Sequence, residues 1–232
     1  MIRITVVNRG PRQDATPFVP RFIERLNQIN PGAIQYRLVG NVLHCDVRNR
    51  GALSPFDQDM MRYIGRNQGG GVINPVGVLI DPPGGDHPIS FRVTARTREF
   101  IDAYAFGTVD LADLLNCPEH SFQMNVLHIL EERWQNPNYA VRRPDSGGVF
   151  RQGHGEALAS EARYLGRLLN EPTLRFEMEF DRAPTVFVCR FRANNGMQVE
   201  HVFTTHGNVT TSEIFVVHGG RRRTLQDHLA AP

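Results

Sequence analysis

The spacing of apolar positions changes period along the chain, and each change marks a different kind of element. Ile2–Val7 alternates and is rich in β-branched residues, which predicts a strand. Phe18, Phe22, Leu26 and Ile29 then recur at helical spacing, with Thr16-Pro17 as a start signal and Pro31-Gly32 as a stop. Gln35–Val39 and Val42–Val47 flank Gly40-Asn41 and read as a hairpin. Ser54-Pro55 opens a second amphipathic helix on Phe56, Met60 and Ile64.

The middle of the chain is punctuated by turn residues. Gly69-Gly70-Gly71 precedes an apolar strand ending near Ile80, Pro82-Pro83-Gly84-Gly85 is a loop, and Ile89–Thr94 predicts a further strand. Asp110 or Ser121 caps helical material that runs through Trp134, and a polar loop from Asn136 to Gly153 leads to a helix over Gly155–Asn170. From Thr173 to Val217 the period of two returns. Strands are expected at Thr173–Phe180, Thr185–Arg192, Gln198–Thr205 and Ser212–Val217, with a turn at Asn195-Gly196.

The expected architecture is α+β: an N-terminal strand, helix and hairpin unit, a central helical pair, and a C-terminal antiparallel four-stranded β-meander. Residues 1–170 form the main domain in this reading. The meander over 171–218 either belongs to it or stands beside it, and 219–232 is a flexible tail.

Composition narrows the class. The chain has 232 residues, enough to bury a sizeable core, and its 41% hydrophobic and 22% charged content is ordinary for a globular protein. No apolar run approaches the length of a membrane span, and the first residues lack the apolar core of a secretory signal. Three cysteines, Cys45, Cys117 and Cys189, give neither a disulfide framework nor metal-type spacing. The expected location is therefore a reducing cytoplasm. The net charge of +2 does not point to nucleic acid. All 26 basic residues are arginine. A GC-rich genome explains that bias, and so does selection against ubiquitin attachment in a protein delivered into eukaryotic cells.

The chemistry concentrates on two helices. His128 and Glu132 are spaced i,i+4 and His154 and Glu161 i,i+7, so each pair shares a helix face. His128, Glu131 and Glu132 project opposite the apolar face of Phe122, Val126, Ile129, Leu130 and Trp134, as a solvated face also would. Glu161 projects onto the edge of an apolar face, between Leu158 and Leu165, where a carboxylate is costly unless paired or bound to a cation. If the helices pack as neighbours, His128, Glu132 and His154 serve as metal ligands, with Glu161 a fourth ligand or an orienting group. Zn²⁺ suits such donors, as do iron and manganese. Glu131 or Glu161 would be the general base on a bound water, with Glu131 the first choice. His128-Ile129-Leu130-Glu131-Glu132 is similar to the inverted H-x-x-E-H zinc motif with its last histidine replaced by Glu132.

The order of the N-terminal unit, the Val109-Asp110-Leu111 segment, the His128/Glu132 helix and the His154/Glu161 helix resembles uncharacterised bacterial metallopeptidase-like domains. These occur among polymorphic toxins and effectors of contractile injection systems, and the likeness spans roughly residues 1–170. The resemblance implies a metal-dependent hydrolase acting on a protein or peptide substrate as an injected effector. The alternative is a non-catalytic adaptor or structural component of a secretion or injection particle. Arg221-Arg222-Arg223 reads as part of the solvated tail, with a phosphate or nucleic-acid contact as the lesser reading. Cys189 reads as a core residue, and His201 and His206 either face a site or, as is commoner for turn and strand histidines, are structural or solvated.

Overall fold

Local signals fix where several elements begin. The computed structural model describes residues 2–6, 16–40, 42–65, 87–92, 101–103, 108–135, 148–207 and 209–231. The strand expected to end near Ile80, the loop at Pro82–Gly85 and residues 136–147 of the polar loop lie outside them.

The N-terminal half contains β1 (Ile2–Val6), α1 (Val19–Ile29), β2 (Ile34–Val39), β3 (Val42–Val47), α2 (Pro55–Gly65), β4 (His87–Arg92), β5 (Asp102–Ala103) and β6 (Thr108–Asp110). The hairpin pairs Val39 with Val42, and Gly40 supplies the positive φ of 62° that the turn needs. Ser54 starts α2, its Oγ accepting from the Asp57 amide at 3.1 Å and donating to the Asp57 carboxylate at 2.7 Å. The Thr16-Pro17 signal instead begins a short 3-10 turn, and α1 starts three residues later with Pro20 inside its first turn.

Helix α3 (Leu111–Asn116) is capped by Asp110, whose carboxylate accepts from the amides of Ala112 and Asp113. Cys117-Pro118 ends it, and α4 (Glu119–Gln135) follows. Helix α5 (Gly148–Leu168) begins earlier than expected: Gly153, the expected end of the loop, and Gly155, the expected first helical residue, both lie inside it. Packing of this segment along α4 outweighs the roughly 1 kcal/mol cost of each interior glycine. The remaining elements are β7 (Arg175–Ala183), β8 (Val186–Arg192), β9 (Gln198–His206), β10 (Val209–His218), β11 (Arg221–Thr224) and α6 (Leu225–Ala230).

The fold is α+β, with two sheets. The first is mixed, in order β2-β3-β1-β4-β6-β5, with β1 parallel to β4 and β4 parallel to β6. The second is antiparallel, in order β11-β10-β9-β8-β7. It has five strands where four were expected. The fifth comes from the segment read as a flexible tail. Gly219 and Gly220, at φ 58° and 75°, form a tight turn that returns Arg221–Thr224 onto β10, and Thr224 then caps α6. Arginines hide this edge strand from any hydrophobic alternation.

The core joins α1, α2, α4 and α5 through Phe22, Phe56, Tyr63, Phe122 and Tyr164, all essentially buried. The Phe22 and Phe122 rings meet edge to face at 5.8 Å. The second sheet packs against this layer through β7 and β10.

Pairing of β7 with β8 shifts by one residue between Phe176 and Met178. This bulge at Glu177 changes which side chains face inward. Phe176 pairs with Phe191 and Glu179 with Cys189, so residues three apart in sequence share one face. Glu179, Cys189 and His201 consequently form one cross-strand row facing the helices.

Candidate metal centre

The polar side of α4 does not face solvent. Helix α5 and the second sheet cover it, leaving Glu132 and Glu161 2–3% exposed. Two helices that each carry a histidine and a glutamate bury them against one another, and every ring nitrogen meets a carboxylate. Glu132 Oε1 lies 3.0 Å from His128 Nε2 and 2.7 Å from His154 Nδ1. His128 Nδ1 is 2.8 Å from Glu161 Oε1, and His154 Nε2 is 2.9 Å from Glu179 Oε1. The Cys189 thiol donates to the same Glu179 oxygen at 3.5 Å. The two imidazole rings stand 5.0 Å apart. The result is an alternating row: Glu161, His128, Glu132, His154, Glu179.

Such a row fixes the protonation of the metal-free centre. Burial alone would push His128 down, but the flanking carboxylates of Glu132 and Glu161 hold it well above its usual value. At His154 the hydrogen bonds to Glu132 and Glu179 outweigh burial and raise it to about 9. Glu179 is held below the usual carboxylate range, its burial outweighed by the His154 hydrogen bond and charge. Burial instead raises Glu161 against the opposing charge of His128. In the metal-free row both rings therefore favour the protonated form, in which each donates from both nitrogens.

A metal ion can take the place of the two inner protons. One ligand atom each from His128, Glu132 and His154 lies within 4.8 Å of the other two, so this group has the chemistry and spacing to hold an ion. The outer nitrogens would keep their protons and donate to Glu161 and Glu179. Paired carboxylates of this kind fix the tautomer and orientation of ligating imidazoles in metal sites. Glu161 thus meets His128 Nδ1 and is placed to orient it.

Glu131 lies elsewhere. Its carboxylate accepts from the Tyr63 hydroxyl, from Arg62 at 3.1 Å and from Gln135 at 2.9 Å. One residue along a helix turns a side chain by about 100°, which carries Glu131 towards α2 while Glu132 faces α5. Glu131→Gln is expected to lower stability by about 1–3 kcal/mol, since a buried, hydrogen-bonded anion is lost. Metal stoichiometry should stay unchanged in the same variant. A melting curve beside an elemental analysis checks both.

The sheet contributes groups that helical spacing could not reveal. Glu179 sits in the motif Phe176-Glu177-Met178-Glu179-Phe180, whose alternation gives no sign of the bulge. His201 is fully buried, 4.2 Å from the Phe203 ring, and neither ring nitrogen has a hydrogen-bond partner among the described residues. Burial, reinforced by the nearby positive charge of His128, drives it down to about 3, so it stays neutral.

Comparison with protein-family models, curated proteins and solved structures finds no match for this chain.

Proposed function

We propose that the protein is a metal-dependent hydrolase, peptidase-like in substrate class, with His128, Glu132 and His154 as protein ligands and Zn²⁺ as the ion. The observation that carries this reading is the arrangement of the two imidazoles. Each turns one nitrogen towards Glu132 and the other towards an outer carboxylate. Three protein ligands leave coordination positions for water and substrate, and a bound ion would polarise a carbonyl and make that water acidic.

Glu161 and Glu179 hold the imidazoles in the ligating tautomer. Glu131 is engaged by Tyr63 and Arg62, and Glu161 lies across the His128 ring from the inner nitrogen, so neither faces the position a bound water would take. Side-chain exposures of 22% at His154 and 28% at Glu179, against 3% at Glu161, support an approach from solvent on their side of the row. Hydrolysis of an amide or ester needs only water as co-reactant, which matches this set of groups.

The resemblance to metallopeptidase-like toxin domains and the absence of lysine support a role as a bacterial effector, delivered by a contractile injection particle. One feature favours a second reading, a non-catalytic component of such a particle. The inner nitrogens are fully hydrogen-bonded without any ion, so the row also works as a structural ion-pair network.

Elemental analysis of the purified chain decides between them. About one divalent ion per chain is expected on the proposed ligand set. Cleavage of peptide, amide or ester probes should stop with a chelator and return with Zn²⁺. A metal-free chain that takes up no ion on titration would remove the hydrolase reading and leave the structural one.

A further inference from the structure

Strand β11 lies at the opposite edge of the second sheet from Glu179 and carries a different concentration of charge. A groove of about 470 Å³ opens there between the β10–β11 turn and α6, lined by Val216, His218, Gly219, Arg221, Arg223 and His228. Strand alternation explains the lining. Arg221 pairs with His218 and Arg223 with Val216, so both arginines share the face of those partners. Arg222 points to the other face, where it lies over the Phe215 ring at 3.4 Å and reaches Glu200 at 3.5 Å.

The lining has two arginines, two histidines and no carboxylate. Arg37, Arg62, Arg167, Arg182, Arg190, Arg192 and Arg222 each pair with an acidic side chain. Arg221 and Arg223 pair with none among the described residues. The nearest acid in sequence, Asp227, accepts from the Thr224 hydroxyl at 2.7 Å and does not line the groove. Charge on an edge strand commonly serves to block pairing with another chain. That purpose asks only for charges along the edge. It does not call for imidazoles from β10 and α6 around the same hollow, nor for Val216, 2% exposed, as its floor.

We propose that this groove binds a small molecule through a phosphate group, with Arg221 and Arg223 as the anion-holding pair. Guanidinium forks match phosphate oxygens in geometry as well as charge. The volume lies within the range of small-ligand sites, and Gly219 lets a ligand approach the turn without meeting a side chain. His218 and His228 add ring N–H donors at the rim. The site is independent of the metal centre, and either assignment can fail without the other.

Calorimetric titration of the intact chain at low salt, with inorganic phosphate, pyrophosphate and adenosine monophosphate as separate probes, tests the proposal. At least one probe should bind saturably, and Arg221→Gln/Arg223→Gln should weaken it roughly tenfold or more, as expected for lost charged hydrogen bonds. Arg163→Gln, an exposed change on α5, should leave binding intact. Tighter binding of the nucleotide than of inorganic phosphate would show that the organic part rests on Val216. Equal binding would show that the groove reads phosphate alone. As a check that needs no variant, the probe should shift the Gly219 amide resonance of the unaltered chain. Absence of binding by all three probes, undiminished binding in the double variant, or an unmoved Gly219 signal would overturn the assignment.

Discussion

Replacing Glu132 with glutamine should lower the stability of the metal-free protein by about 3 kcal/mol, the cost of breaking a buried ion pair from one side, and abolish stoichiometric metal uptake. Glu132 Oε1 is the shared acceptor for both inner ring nitrogens. Glutamine keeps the shape but loses the charge, and it can turn an amide N–H towards donors that need an acceptor. Two imidazolium rings with centroids 5.0 Å apart would then face each other without the anion between them. For a chain of this size the loss corresponds to a melting point lower by roughly 6–12 °C. In the metal-loaded state the same change removes one of three ligands, and uptake should fall from about one ion per chain to none. A variant that melts with the unaltered protein and still takes up one ion would remove Glu132 from the centre.

Beside the carboxylates of Glu179 and Glu200, held below their usual range, His201 is expected to shape the acid limb of stability with a comparable effect. The folded chain refuses a proton there until about pH 3, whereas the unfolded imidazole takes one near its usual value of about 6.5. Between those values the unfolded state binds more protons. Stability is therefore full above the upper value and declines as pH falls towards the lower one. Complete refusal across that interval is worth on the order of 5 kcal/mol. His201→Phe, close in size and set beside Phe203, should flatten the acid decline and leave the neutral protein no less stable. Urea melts of both proteins inside and above the interval measure the difference. An equally steep decline in the variant would assign acid sensitivity to other groups.

How far the sequence could be read depends on which contacts were local. Helical spacing is set by the backbone, so His128 with Glu132 and His154 with Glu161 were legible as pairs. The capping geometry at Ser54 and Asp110 was legible for the same reason. Glu131 could not be separated from Glu132 on these grounds, because both project to the polar side and only the position of α2 distinguishes them. Glu179 and His201 reach the row through pairing between strands distant in sequence and through an inserted residue that alternation does not register. The fifth strand of the second sheet was missed because an edge strand need not bury an apolar face. Three consecutive arginines satisfy that position and look like solvated coil.

The extra residue in β7 has an evolutionary consequence. Losing one codon near Glu177 would restore regular alternation and turn Glu179 away from His154 while leaving His128, Glu132, His154 and Glu161 in place. Strand length at this point, as much as the identity of any histidine, would then decide whether a descendant keeps the row whole.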